Sequence, residues 1–108
     1  MISRLWTARC APEHAQAYET LLLTRILPEL DKTDGCLGAY LMRRETGGEV
    51  EFAVLHLFES LAAVKAFAGD HYEAAVVPGE ARALLASFDP VAQHFDVRAT
   101  PGNPALGH

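Results

Sequence analysis

The stretch "EFAVLHLF", residues 51–58, constrains the fold more than any other part of the chain. Its aromatic and β-branched residues predict a strand, and strand side chains alternate between the two faces of a sheet. Phe52, Val54, His56 and Phe58 therefore share one face, and Ala53, Leu55 and Leu57 share the other. Both sets are apolar apart from His56, whereas a sheet with one face in water carries polar residues there. Residues 2–9 make the same demand, since Ile2 and Trp6 hold one parity and Leu5 the other. Whatever this chain forms, something must cover its sheet on both sides.

The remaining elements follow from periodicity and punctuation. The first strand, residues 2–9, ends at Ala11-Pro12, and proline suits the first turn of a helix. Ala15, Tyr18, Leu22 and Ile26 are spaced three and four apart, which predicts one helical stripe widened by Leu21 and Leu23. Pro28 should kink or restart that helix, and Gly35 should close it. Residues 37–44 and 51–58, joined across Gly47-Gly48, predict an antiparallel hairpin. Ser60 is placed to cap a helix carrying Leu61, Val64, Phe67 and Ala68 on one face, with Gly69 at its end. Residues 71–77 predict a short helical turn, 80–86 a short helix with Ala81, Leu84 and Leu85 inward, and 91–98 the last strand. The order β-α-β-β-α-β predicts an α+β, ferredoxin-like protomer, a four-stranded antiparallel sheet with helices on one face. The helices cover only that face. A second copy packed sheet to sheet is the expected cover for the other, the alternative being a monomer with an oily surface.

At 108 residues the chain is one domain, expected over 1–98, and "ATPGNPALGH" over 99–108 reads as a mobile tail or an arm lying on a neighbour. A formal charge of -5 opposes a nucleic-acid partner, and Arg43-Arg44 reads as a solvated strand end. No apolar run is long enough for a membrane span and "MISRLWTARC" does not read as an export signal, so a cytoplasmic protein is expected. Cys10 and Cys36 lack metal-ligand spacing and read as free thiols. The histidines show no paired spacing either, so no metal is expected.

"RLWTARC", "GCLGAYLMRRE", "EFAVLHLFESLAAVKAFAGD" and "FDPVAQHFDV" together resemble the antibiotic biosynthesis monooxygenase-like family, over residues 2–98. The resemblance implies a protomer of the dimeric α+β barrel superfamily, with a pocket between sheet and helices. It also implies that relatives oxidise anthrones or quinols without metal or flavin, while others bind and degrade haem. In the cofactor-free chemistry a deprotonated substrate reduces O2, and the protein supplies an apolar pocket, a base and a donor for the anion. The chain departs from the family pattern in two places. Phe58 stands where relatives often carry a tryptophan, and the only asparagine is Asn103, in the tail.

The candidate residues follow. His94, in the last strand, and His56, in the third, are candidate bases or hydrogen-bond partners, against structural roles for both. Trp6, Tyr18, Tyr40, Phe58 and Phe67 are candidate pocket aromatics, with core packing as the alternative. His71 and Tyr72 fall in the segment expected to close over the pocket mouth. The leading expectation is a homodimer, without cofactor, that oxygenates a small apolar or aromatic quinol-type ligand. The alternatives are a non-catalytic ligand-binding or stress-associated barrel and a haem-binding relative with an axial histidine.

Overall fold

The computed structural model describes residues 1–100, so the expected C-terminal arm lies almost wholly outside the described residues. Strand β1 (Ile2–Cys10) is central and pairs antiparallel along its whole length with β3 (Glu49–Phe58), Ile2 opposite Phe58 and Cys10 opposite Val50. β2 (Cys36–Thr46) pairs with the other edge of β3. Gly47 and Gly48 make the turn between them, both at positive φ (58° and 80°), the conformation a two-residue hairpin requires. The fourth lane of the sheet is shared. β4 (Ser87–Phe88) runs beside Ala8 and Arg9, and β5 (Gln93–Asp96) runs beside Ile2 to Leu5.

The last strand is thus shorter than the expected 91–98, for a local reason. Asp89 donates its backbone N–H to the Thr7 carbonyl at 3.0 Å, its carboxylate accepts from the Thr7 hydroxyl, and its carbonyl accepts from Trp6 Nε1 at 2.6 Å. Pro90 follows and has no N–H to continue the ladder. The expected helical turn at 71–77 is a turn ending in a bridge from Ala74 to Val91. The last helix is trimmed to α4 (Gly79–Arg82), with Ala81 buried.

The helical layer comprises α1 (Pro12–Leu21), a π-helical turn (Leu22–Ile26), α2 (Leu27–Asp31), α3 (Leu61–Ala68) and α4. Pro28 does interrupt the first helix, but by widening it. The Leu27 N–H reaches back five residues to the Leu22 carbonyl, which relieves the clash a proline imposes on the carbonyl four residues before it. Ser60 caps α3, its hydroxyl accepting from the Ala63 N–H at 3.2 Å, and Gly69 ends it at φ 84°. Gly35 closes the first helical region at φ 83°, where a Cβ would lie 2.5 Å from that of Ala63. Leu23, expected to widen the buried stripe, is instead exposed. No helix of the described residues is long and apolar enough to cross a membrane.

The core gathers at the two ends of the helix-covered face. Cys10, Ala15, Tyr18, Leu22, Val50, Phe52 and Ala81 fill one end. Phe58, Ala63 and Val64, with Ile2, Phe67 and Tyr72 against them, fill the other. Between the clusters lie Arg4 and Trp6 of β1, paired with His56 and Val54 of β3. That middle is left open.

Candidate functional site

The gap between the two core clusters is a cavity of about 570 Å3. Small-molecule pockets span roughly 300–1,000 Å3, so the volume is that of a small-molecule site. Its floor is the sheet, with Arg4, Trp6, Val54 and His56. Phe67 of α3 stands on one side, and Leu22, Ile26 and Leu27 of the widened helix stand on the other. Val76 and Pro78, from the strap of residues 69–78, close part of the wall. The mouth is charged: Arg25 pairs with Glu80 at 2.5 Å and Lys32 with Glu29 at 3.2 Å, all four well exposed.

The polar centre of the floor is a cross-strand row. Arg4 lies opposite His56 on β3 and opposite His94 on β5. Arg4 is only 4% exposed. Its Nη1 donates to the Tyr72 carbonyl and lies 3.1 Å from His94 Nε2, and its Nη2 donates to the Ala74 carbonyl at 3.1 Å. The guanidinium carbon also sits 5.4 Å from the Phe67 ring centroid. Arg4 is thus held by the strap from behind and stacked on an aromatic wall.

Burial, and then the neighbouring Arg4 charge, push the His56 imidazole down to about 4, with Asp31 opposing weakly. His56 is therefore neutral at pH 7. Its Nε2 is buried with no hydrogen-bond partner, an uncommon state for an interior polar atom. The same two causes, in the same order, lower the pKa of His94, against Glu73 and the Ala92 backbone. Burial alone lowers that of Arg4.

The structure brings together three of the expected site residues, Trp6, His56 and Phe67, on one cavity. Phe58 is buried beside it, stacked on Phe67 at 5.8 Å. His94 lies behind Arg4, in a separate shallow cleft with Tyr72, whose ring meets its own edge-on at 5.1 Å. Tyr72 contributes its carbonyl to Arg4, while His71 is exposed. Tyr18 belongs to the core, edge-on to Phe52 at 5.0 Å, where burial and then Cys10 push its hydroxyl up to about 12. Tyr40 is 60% exposed and points to the opposite face of the sheet, so neither tyrosine reaches the cavity.

The residue that sequence reasoning missed is Arg4. A lone arginine in a strand reads as solvent-facing, yet its parity is that of Ile2 and Trp6, the set that lies under the helices. Among the described residues, no three His, Cys, Asp or Glu side chains gather as a metal site.

Solved structures share this architecture. A candidate antibiotic biosynthesis monooxygenase from Deinococcus radiodurans is 20% identical, with a TM-score of 0.61 over 90% of this chain and 92% of that one. Another, from Caulobacter crescentus, is 24% identical, with a TM-score of 0.59 over 89% and 88%. The haem-degrader MhuD from Mycobacterium tuberculosis, solved with two haems bound in its active site, is 20% identical, with a TM-score of 0.57 over 90% and 95%. At such identities the likeness concerns the fold. No curated protein matches the chain. A family model for antibiotic biosynthesis monooxygenase, however, matches residues 1–77, and with the helix-covered antiparallel sheet in place this chain belongs to that family.

Proposed function

We propose that the chain is a cofactor-independent monooxygenase acting on a small aromatic, quinol-type substrate held in the central cavity. The observation that carries this reading is the cavity itself, walled on one side by Phe67 and floored by Trp6 and by a neutral imidazole beside a buried cation. Such a site can receive a proton from an acidic phenol or an activated C–H and stabilise the anion that remains. The anion passes an electron to O2, and the radical pair combines to a hydroperoxide. Loss of water then leaves a carbonyl, so that a CH2 group and O2 become C=O and H2O. The substrate supplies all four electrons. In this reading His56 takes the proton, a role supported by its position on the cavity, whereas His94 lines a separate cleft.

We also propose that the working unit is a homodimer joined through the open sheet face, and that its two free cysteines reside in a reducing cytoplasm. Tyr40, Met42 and Phe95 support the dimer as large exposed side chains on that face.

One observation favours a second reading, a non-catalytic binding module. An imidazole at about 4 with its Nε2 covered is a weak base. Oxygen uptake with a panel of anthrones and hydroquinones decides between them. Catalysis predicts uptake above the uncatalysed rate, cut on the order of 100-fold by His56→Ala, the lower end of typical acid–base contributions. No uptake with any member of the panel, while ligands still quench Trp6 fluorescence, would leave only the binding module.

A further inference from the structure

We infer that the cavity takes its ligand as an anion, an aromatic carboxylate or phenolate whose charge sits against Arg4. This rests on the cavity being the ligand site, as read above, but not on oxygenation taking place there.

Charge bookkeeping on the cavity wall carries the inference. Arg25 and Lys32 at the mouth are exposed, and each has its own carboxylate. Arg4 is buried, and its partners are the Tyr72 and Ala74 carbonyls and a histidine nitrogen, all uncharged. None of the ion pairs among the described residues includes it. A buried cation without a counter-charge is costly, and proteins keep one where something else supplies the charge. The mouth is balanced and the floor is not.

A second observation points to the same spot. His56, directly across the strand pair from Arg4 and 7% exposed, leaves Nε2 without a partner. The floor therefore lacks both a negative charge and a hydrogen-bonding group. A carboxylate or phenolate oxygen supplies the charge, and it accepts a hydrogen bond from His56 in the tautomer that carries the ring proton on Nε2. The guanidinium is ready for it: three of its five N–H donors are spent on the strap and His94, which fixes its position and leaves two for a ligand. Loss of hydration has also lowered the Arg4 pKa, with no carboxylate acting in the other direction.

The chain carries one tryptophan, Trp6, on the cavity floor, so its fluorescence reports occupancy. Titration of the wild-type protein with 2-naphthoate and with its uncharged isostere 2-naphthamide should show the carboxylate binding at least tenfold tighter. Arg4→Met should abolish the preference and Arg4→Lys should keep part of it. Because Arg4 also pins the strap, its variants are backed by a measurement on the wild-type chain. Bound 4-nitrophenol, followed by its phenolate absorbance, should ionise at least one pH unit below the free phenol. A bound phenol that ionises where the free one does would overturn the inference together with the anion stabilisation that oxygenation needs. Equal affinity for the two naphthalene probes would overturn the inference while leaving oxygenation of neutral quinols intact. Preference for naphthoate without oxygen uptake on any anthrone would do the reverse.

Discussion

From Phe52 to Phe58 the two faces of β3 are both apolar apart from His56, yet they differ in what covers them. Toward the helices, Val50, Phe52, Val54 and Phe58 are buried, with His56 among them. Toward the other side, Ala53, Leu55 and Leu57 are only half-buried, beside Leu5 of β1, Tyr40 and Met42 of β2, and Phe95 of β5, 54% exposed. An ordinary half-exposed sheet has its polar residues on the wet side. Here the buried side holds the arginine and histidine and the open side holds the leucines. The inversion teaches that neither face can be read as core or surface alone. Polar groups retained under a helical layer ask for a ligand, and apolar groups left outside ask for a partner.

The largest expected effect tests the covered face. Phe52→Ala removes a fully buried ring that packs on Tyr18 and should cost about 3–5 kcal/mol, read as a shift in urea midpoint. Leu55→Ala on the opposite face should cost clearly less at protein concentrations where the chain is monomeric. Equal costs would erase the distinction between the faces.

The second effect concerns the buried polar row. His56 is held near 4 when folded against an ordinary 6.5, so in that window the unfolded chain binds more protons. Stability should be complete above pH 6.5 and fall as the pH drops toward 4, by roughly 3 kcal/mol for a gap of that size. His56→Leu should lose this slope while keeping the fold, and an unchanged pH profile in the variant would assign the acid sensitivity elsewhere.

The smallest effect tests the open face. A glutamate in place of Leu55 should weaken self-association by at least tenfold, about 1.4 kcal/mol, seen by light scattering as a shift of dimer toward monomer. Mass at micromolar concentration that is already that of one chain in the wild type would end the dimer proposal.

How much of this was legible depends on the range of the forces involved. The hairpin at Gly47-Gly48, the Ser60 cap and the Gly69 stop are set by neighbours in the chain, and all three were readable from local residues. Strand parity separated the faces correctly. Pro28 announced a break, but the widened turn it takes depends on bonding between Leu22 and Leu27 that no single residue signals. The strap and the shortened last strand were out of reach because they fix each other. Ala75 N–H donates to the Pro90 carbonyl at 2.9 Å and Ala92 N–H to the Glu73 carbonyl at 2.8 Å. For the site, parity alone could not separate His56 from His94, since both flank Arg4 in one row. What divides them is Arg4 and the carbonyls it gathers, and those contacts span about seventy positions of chain.

The divided fourth lane has a consequence for how such molecules meet. Two short pieces joined at Pro90 offer no unbroken rail of amide and carbonyl groups for a stray segment to zip onto. The other flank, β2, is interrupted by an irregular register at Gly38 and carries Arg43 and Arg44 toward its far end. Fibril-like stacking edge to edge is thus blunted on both sides.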